Sequence, residues 1–224
     1  TSSLTRFFSI GLMIALGVFV YTGLKGAAPM MLRAVNDFTA ETQMADIKLQ
    51  SNLGLSAQDR RLILAEPGVD SAEWLYSLDL NTRYTDLLLE VQSLPRKLSV
   101  PHLTAGRLPA APNEILLDAD ISGRPYQIGD MVWFKKESGK LDMETDKSDA
   151  LERYRFKVVG FCYHPEFTAP KQKGDASGGL GKLEGFAFIL EENFTAEKYS
   201  FGRLRLSGVE GLTSDDKRYK AICA

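Results

Sequence analysis

The sequence predicts an α+β fold in which an N-terminal transmembrane helix with a stalk precedes a βαβ (ferredoxin-like) lobe that carries an inserted small, mainly-β lobe. Three observations predict it: an uncharged apolar run near the N-terminus, a helical period that continues beyond this run, and alternating strand patterns interrupted by one capped helix. The expected boundaries are 1–38 for helix and stalk, 39–208 for the domain (39–98 plus 185–208 for the βαβ lobe, 99–184 for the inserted lobe) and 209–224 for the start of a further helix.

The apolar run extends from Phe7 to Leu24 without a charged residue. As a helix it would be about 27 Å long, close to the roughly 30 Å hydrocarbon thickness of a bilayer. The alternatives are a buried core helix and a signal peptide cleaved after "GAA" at 26–28. The run exceeds the usual apolar region of a signal peptide, and Pro29 would obstruct cleavage, so the sequence favours a retained anchor. Positions along the predicted span are Phe7, Leu12, Leu16, Phe19 and Leu24.

Beyond Lys25 the helical period does not stop. Apolar residues recur with the spacing of an amphipathic helix, and the small residues at 26–28 can adapt the backbone around Pro29. We therefore expect the anchor to leave the membrane as a coupling stalk that reaches the domain near Asp37. The stalk positions are Met30, Met31, Ala34, Val35 and Phe38.

The start of the domain has a βαββ pattern. Alternation over 45–51 predicts a strand, and Ser56 with Asp59 predicts the N-cap and third position of a helix. Pro67 and Gly68 would end that helix. Residues 69–80 and 84–94 are expected to form two strands joined by a polar turn, and the four elements together are half of a split βαβ unit.

The middle of the chain is rich in turn residues. Five of the nine prolines lie between Pro95 and Pro125, which predicts turns and short extended pieces. Later strands are expected over 126–134, 154–164, 185–190 and 200–208. Two polar loops, 135–153 and 171–182, separate them.

Charge and cysteine content exclude two classes of protein. The formal net charge is −2 and the pI is near 5.8, without the basic footprint that a nucleic-acid partner requires. Two cysteines, Cys162 and Cys223, are too few for a disulfide-dense scaffold. The two cysteines could form a disulfide or remain free thiols. The sequence favours free thiols, because Cys223 lies in the last, incomplete helix.

Four pieces of sequence occur in an order that is typical of one family: the strand after the apolar helix, "GRLPAAPNEILL", "IGDMV" and "FKVVG". Together they resemble the extracytoplasmic core domain of FtsX-like/MacB-like ABC-transporter permeases across most of residues 7–208. Loops 135–153 and 171–182 depart from the family pattern. The matching positions are Gly106, Arg107, Pro109, Asn113, Glu114, Ile115, Ile128, Gly129, Asp130, Val132, Phe156, Val158, Val159 and Gly160.

The resemblance implies a permease subunit in the bacterial cell membrane, with residues after about 38 outside the cytoplasm. Its partners would be the lipid bilayer, a cytoplasmic ABC ATPase that holds the ATP, a second permease copy or paralogue, and an extracytoplasmic protein or peptide. Further membrane helices would follow Ala224, and this chain would bind no cofactor and no nucleic acid. The motif residues themselves have structural explanations: Gly129 and Asp130 make a turn, and Arg107 can tie a loop to a carboxylate.

Chemically active side chains are few. Cys162, His164 and Glu166 alternate and are weak candidates for half of a zinc site, but Pro165 interrupts the strand and no fourth ligand is apparent. His102 and Cys162 could form a thiol nucleophile with its base, although no adjacent cation lowers the thiol pKa. The sequence therefore predicts a non-enzymatic coupling domain. The alternatives are a membrane-anchored adaptor or membrane-fusion-type protein and, less favoured, an anchored thiol hydrolase or transpeptidase.

Overall fold

The computed structural model divides the chain into two units, Thr1–Glu41 and Thr42–Ala224. Cys223 and most of the two predicted polar loops lie outside the described residues. The residues that the structure describes are 2–121, 123, 125–136, 150–167, 173–176, 181–209, 212 and 216–222.

The first unit is a single helix, α1, over Ser2–Glu41. Pro29 lies inside it without ending it, as expected from the small residues that precede the proline. By length and composition, the stretch Arg6–Glu41 is apolar enough to cross a membrane. The helix passes through the whole predicted stalk, and it ends a turn later than the boundary expected near Asp37.

A three-stranded sheet begins the second unit. Its strands are β1 (Ile47–Leu55), β2 (Val69–Leu75) and β10 (Tyr199–Leu206), and β10 lies between the other two, antiparallel to both. Helix α2 (Ala57–Ala65) connects β1 to β2, so these elements form the predicted split βαβ arrangement. Ser56 caps α2 in a capping box with Asp59, as the sequence predicts.

Within the described residues, the second sheet has seven strands in the order β3-β4-β9-β6-β8-β5, and β7 pairs with the start of β8. The pairs β4–β9 and β6–β8 are parallel and the others are antiparallel, so the sheet is mixed. The strands are β3 (Ser77–Asn81), β4 (Leu88–Ser93), β5 (His102–Gly106), β6 (Glu114–Asp118), β7 (Met131–Trp133), β8 (Arg155–Tyr163) and β9 (Gly185–Ile189). A short helix, α3 (Lys217–Ile222), follows.

The division of strands between the two sheets differs from the predicted division of the chain into a βαβ lobe and an inserted lobe. Strands β3, β4 and β9 belong to segments expected in the βαβ lobe, yet they hydrogen-bond into the seven-stranded sheet. The proline-rich segment contains the two strands β5 and β6, and β6 is buried along its whole length. Pro101, Pro109 and Pro112 lie just outside these strands, so no ladder N–H is lost. The fold is α+β, as predicted.

The two larger apolar clusters among the described residues pack on the seven-stranded sheet. The main cluster includes Leu89, Ile115, Phe156, Val158 and Ile189, each fully buried. A smaller cluster is formed by Leu116, Cys162, Phe167, Phe186 and Phe188. The smaller cluster borders the polar residues that join the two sheets, since the His164 ring contacts Phe167, Phe186 and Phe188.

Candidate functional site

The three residues considered as metal ligands do not converge on one point. Cys162 belongs to the smaller apolar cluster, whereas His164 and Glu166 face a polar network. Across the part of the chain that the structure describes, no group of three His, Cys, Asp or Glu side chains could hold a metal ion.

The Cys162 thiol is an unsuitable nucleophile. Burial raises its pKa well above the ordinary thiol value, and the nearby Asp118 carboxylate raises it further. His102 pairs with Tyr163 across the β5–β8 ladder, and Leu103 pairs with Cys162. Because side chains alternate along a strand, His102 and Cys162 lie on opposite faces of the sheet. The geometry therefore does not form a thiol–imidazole pair.

His164 is a buried neutral histidine. Its Nε2 lies 2.7 Å from the Ser99 carbonyl oxygen, and its Nδ1 accepts a hydrogen bond from the backbone N–H of Glu166. This pattern assigns the proton to Nε2, which donates to Ser99. Burial, followed by the neighbouring Arg203 charge, lowers the pKa of His164 to about 3. Since backbone groups occupy both ring nitrogens, His164 acts as a structural link.

Glu166 and Arg203 form an ion pair between the two sheets. Arg203 comes from β10 in the three-stranded sheet, and Glu166 follows β8 of the larger sheet. Arg203 Nε lies 2.5 Å from Glu166 Oε1, and Lys48 Nζ lies 3.2 Å from Oε2. Burial opposes ionisation of Glu166, but the Arg203 charge and hydrogen bond outweigh it and lower the pKa to about 2. The carboxylate is therefore ionised at physiological pH.

Gln92 of β4 completes what we name the junction network: Lys48, Gln92, His164, Glu166 and Arg203. Arg203 Nη2 donates to Gln92 Oε1 at 3.1 Å, so one guanidinium contacts two parts of the larger sheet. Arg203 Nη1 is buried and has no hydrogen-bond partner among the described residues. A buried charge that is incompletely paired costs stability, which offsets part of what the ion pair contributes to the fold.

The segment between β4 and β5 connects the junction network to the beginning of the unit. Glu73 of β2 accepts hydrogen bonds from the backbone N–H groups of Arg96, Lys97 and Leu98 at 2.7–3.1 Å. Next along the chain, the Ser99 N–H donates to the Gln43 carbonyl at 2.8 Å. Since the Ser99 carbonyl accepts from His164, a hydrogen-bonded path runs from the first residues after α1 to the sheet junction.

The family-motif residues build a second, separate feature at the β5–β6 loop. Glu114 pairs with the Arg107 guanidinium and also accepts from the backbone N–H groups of Ala110 and Ala111. The Arg107 hydrogen bond first, and the Ala110 hydrogen bond second, lower the pKa of Glu114 to about 2. Pro109, within this loop, is buried. Arg107 thus closes the loop on a carboxylate.

Two motif glycines allow β5 and β8 to approach closely. Gly106 has a φ of +78°, and a Cβ there would lie 2.2 Å from the Val159 carbonyl oxygen. A Cβ on Gly160 would lie 2.7 Å from the Ala105 carbonyl oxygen. Only glycine fits at these two positions.

Gly129 and Asp130 form a turn that leads into β7. The Asp130 N–H donates to the Gln127 carbonyl, and the Asp130 carboxylate accepts from the Gln127 N–H at 2.8 Å. The Gly129 N–H donates to the Val158 carbonyl, which ties the turn to β8. The buried Val159 follows in the same strand. These motif residues shape loops and contain no reactive group.

Sequence reasoning missed Arg203, Lys48, Gln92 and Ser99. Arg203 offered a signal, because it shares one strand face with Phe201 in a segment that otherwise predicts a buried strand. A charged side chain on an apolar face predicts a buried partner of opposite charge. Nothing local identifies Glu166 as that partner.

No protein-family model matches the sequence, and no curated protein matches it. Solved structures similar to the chain include the extracellular domain of the noncanonic ABC-type transporter YknZ from Gram-positive bacteria, with 10% identity over 79% of this chain and 88% of that one, at a TM-score of 0.41. They also include the periplasmic region of MacB from Actinobacillus actinomycetemcomitans, with 12% identity over 78% of this chain and 72% of that one, at a TM-score of 0.38. Both are the kind of domain that the sequence resembles. Because the scores are low, the function proposed below rests on this chain's own residues.

Proposed function

We propose that this chain is the first membrane helix and extracytoplasmic domain of an ABC-transporter permease, and that it transmits motion without performing chemistry. The observation that carries the proposal is the helix Arg6–Glu41, which is long and apolar enough to cross a membrane and continues unbroken through the predicted stalk. The ordered motif residues support the same class. ATP would be held by a separate cytoplasmic ATPase, and a second permease copy or paralogue would complete the transporter in a bacterial cell membrane.

The path of motion begins at the first residues of the domain. Thr42 is buried, and its carbonyl accepts from the Val100 N–H at 2.8 Å. Gln43 accepts from Ser99 in the same way. A displacement of the chain at Thr42 would therefore displace the segment that holds His164, and with it the sheet junction.

In the proposed mechanism, movement of the cytoplasmic ATPase shifts the span Phe7–Leu24. The stalk Met30–Phe38 passes the shift to Thr42, and the junction network converts it into a change in the angle between the two sheets. Packed elements respond as rigid bodies, which suits them to this kind of transmission. The change would export a substrate, handle a lipoprotein or peptide, or activate an outer protein partner.

An insertion in the stalk tests this coupling. A Gly-Ser-Gly-Ser insertion after Arg33 would break the helix, and the same insertion between Pro67 and Gly68, in the exposed turn after α2, is the matched control. Spin labels are attached at the exposed positions Leu53→Cys and Ile128→Cys. Double electron–electron resonance between them reports the distance between the sheets. The measurement uses the native complex, purified with its ATPase, in a Cys223→Ser background.

We expect vanadate-trapped ATP to shift the label distance in the parent and in the turn insertion but not in the stalk insertion, while ATP hydrolysis continues in all three. An unchanged shift in the stalk insertion would contradict coupling through α1. Purification without any associated ATPase activity would contradict the permease assignment itself. The adaptor alternative is tested by reading the gene beyond Ala224, since a permease requires further apolar stretches of about 20 residues.

A further inference from the structure

A surface cleft of about 630 Å³ lies where the turn after β3, the end of β7 and the start of β8 meet. Among the described residues, five basic side chains and one acidic side chain, Glu152, line it. The whole chain has a net charge of −2, so this local excess of positive charge is a distinct surface feature. The basic residues are Arg83, Lys135, Lys136, Arg153 and Arg155.

Backbone hydrogen bonds hold the walls of the cleft together. The Arg83 N–H donates to the Trp133 carbonyl at 2.7 Å, and the Lys135 N–H donates to the Asn81 carbonyl at 2.8 Å. The Phe134 N–H donates to the Tyr154 carbonyl at 2.9 Å. The cationic side chains therefore project from three segments whose relative positions are fixed, which reduces the ordering cost of binding.

Aromatic rings orient the cations. The Arg155 guanidinium lies 4.8 Å from the Trp133 ring centroid, and Lys136 Nζ lies 5.2 Å from that of Tyr154. Cation–π contact holds the Arg155 guanidinium over a ring while leaving its N–H groups available to a ligand. The cleft thus combines apolar ring surface with oriented donors.

Three of the five cations that line the cleft, all of them arginines, have no ion-pair partner among the described residues. Lys135 pairs with Asp86 at the rim. Over the part of the chain that the structure describes, no carboxylate forms an ion pair with Arg83, Arg153 or Arg155, and all three side chains are exposed. Such a surface attracts anions and pairs best with a multivalent one.

We propose that this cleft binds a phosphate ester, either as a lipid headgroup or as a small soluble molecule. Planar guanidinium groups donate to phosphate oxygens in a bidentate manner. A phosphomonoester has three terminal acceptor oxygens and a charge of about −1.5 to −2, which suits the three exposed arginines of the cleft better than a single carboxylate does. The body of the ligand would lie against Trp133 and Tyr154. This activity goes beyond the proposed transporter role, and its test needs no ATPase.

Titration calorimetry on the full chain in phosphatidylcholine nanodiscs tests the site. The probes are inorganic phosphate, glycerol 3-phosphate, dihexanoyl phosphatidic acid and, as a carboxylate control, hexaglutamate. We expect saturable binding of the phosphate esters, and Arg83→Gln/Arg155→Gln should weaken it about tenfold or more. A second variant, Lys135→Gln/Arg153→Gln, should show a similar loss. Arg61→Gln/Arg96→Gln, which removes two exposed arginines elsewhere in the unit, should bind like the parent.

Tighter binding of dihexanoyl phosphatidic acid than of glycerol 3-phosphate would identify a lipid source, and equal binding would identify a soluble one. The proposal is overturned if no phosphate ester binds saturably, or if the control variant loses as much affinity as the cleft variants. Cleft-dependent binding of hexaglutamate in place of the phosphate esters would also overturn it.

Discussion

Arg203 has no exposed side-chain surface, and its Nε lies 2.5 Å from Oε1 of Glu166, so the ion pair that joins the two sheets has a completely buried cation. Replacing it by Arg203→Met would leave the Glu166 carboxylate with only the partly exposed Lys48. We expect the domain to lose about 3–5 kcal/mol of unfolding free energy. Guanidinium unfolding followed by tryptophan fluorescence measures this, because both tryptophans, Trp74 and Trp133, lie in the domain.

The control for this variant is Arg205→Met, two residues along the same strand and only partly buried, which should cost much less. The double variant Arg203→Met/Glu166→Met removes both charges and should recover most of the lost stability. A double variant as unstable as the sum of the two single variants would show that Arg203 and Glu166 are not energetically coupled.

The free energy of unfolding should decrease as the pH is lowered, because of His164. Burial and the Arg203 charge lower its pKa to about 3 in the folded state, whereas an unfolded histidine titrates near 6.5. Below about pH 6.5, His164 binds a proton in the unfolded chain but stays neutral in the native state. The free energy of unfolding therefore decreases by up to about 1.4 kcal/mol per pH unit as the pH falls. His164→Gln should flatten this slope between pH about 6.5 and 5.

That window lies above the range in which Glu166 and Glu114 contribute. Their folded pKa values are lowered to about 2, so the stability they provide is lost only below the unfolded value near 4.3. His102→Gln, the same substitution at the chain's other histidine, is measured beside it as the matched control. The same slope in His164→Gln and the parent would mean that His164 is not buried in its neutral form.

Local patterns predicted much of the fold. The apolar run predicts α1, the capping pair Ser56 and Asp59 predicts the start of α2, and strand alternation predicts β8 and β10. Pairing between distant strands leaves no such local trace. In the seven-stranded sheet, β9 pairs with both β4 and β6. These strands are far apart in the sequence, so no short segment of it predicts their pairing or register.

The candidate site was less predictable for the same reason. Glu166 and Arg203 are 37 positions apart, and Gln92 and Arg203 are 111 apart. Their proximity follows from how β10 packs on the larger sheet, which depends on the whole core. The sequence drew attention to His164 and Glu166 through their alternation, but it could not distinguish a ligand pair from a structural link.

Gly106 should tolerate no side chain. Gly106→Ala would place a Cβ 2.2 Å from the Val159 carbonyl oxygen at a φ of +78°, so strand β5 would have to separate from β8. We expect a loss of about 3 kcal/mol or more in unfolding free energy. Gly129→Ala is the matched control: its φ is +102°, but no described atom lies within 4 Å of the new Cβ, so only backbone strain of about 1 kcal/mol applies. Equal losses would contradict the close approach of the strands.

Glu114 should matter more than its partner Arg107, although the two form one ion pair. Glu114 Oε2 accepts from the Ala110 N–H at 2.8 Å and from the Ala111 N–H at 3.2 Å, so Glu114→Ala leaves two backbone donors without an acceptor. We expect a loss of about 2–3 kcal/mol in unfolding free energy.

Arg107→Ala keeps both of those hydrogen bonds and removes a guanidinium whose side chain is 56% exposed, so its loss should be clearly smaller. Glu114→Gln, which retains a carbonyl acceptor but no charge, should fall between the two. Guanidinium unfolding of the three variants gives the order. If Arg107→Ala were at least as destabilising as Glu114→Ala, the ion pair rather than the backbone hydrogen bonds would hold this loop closed.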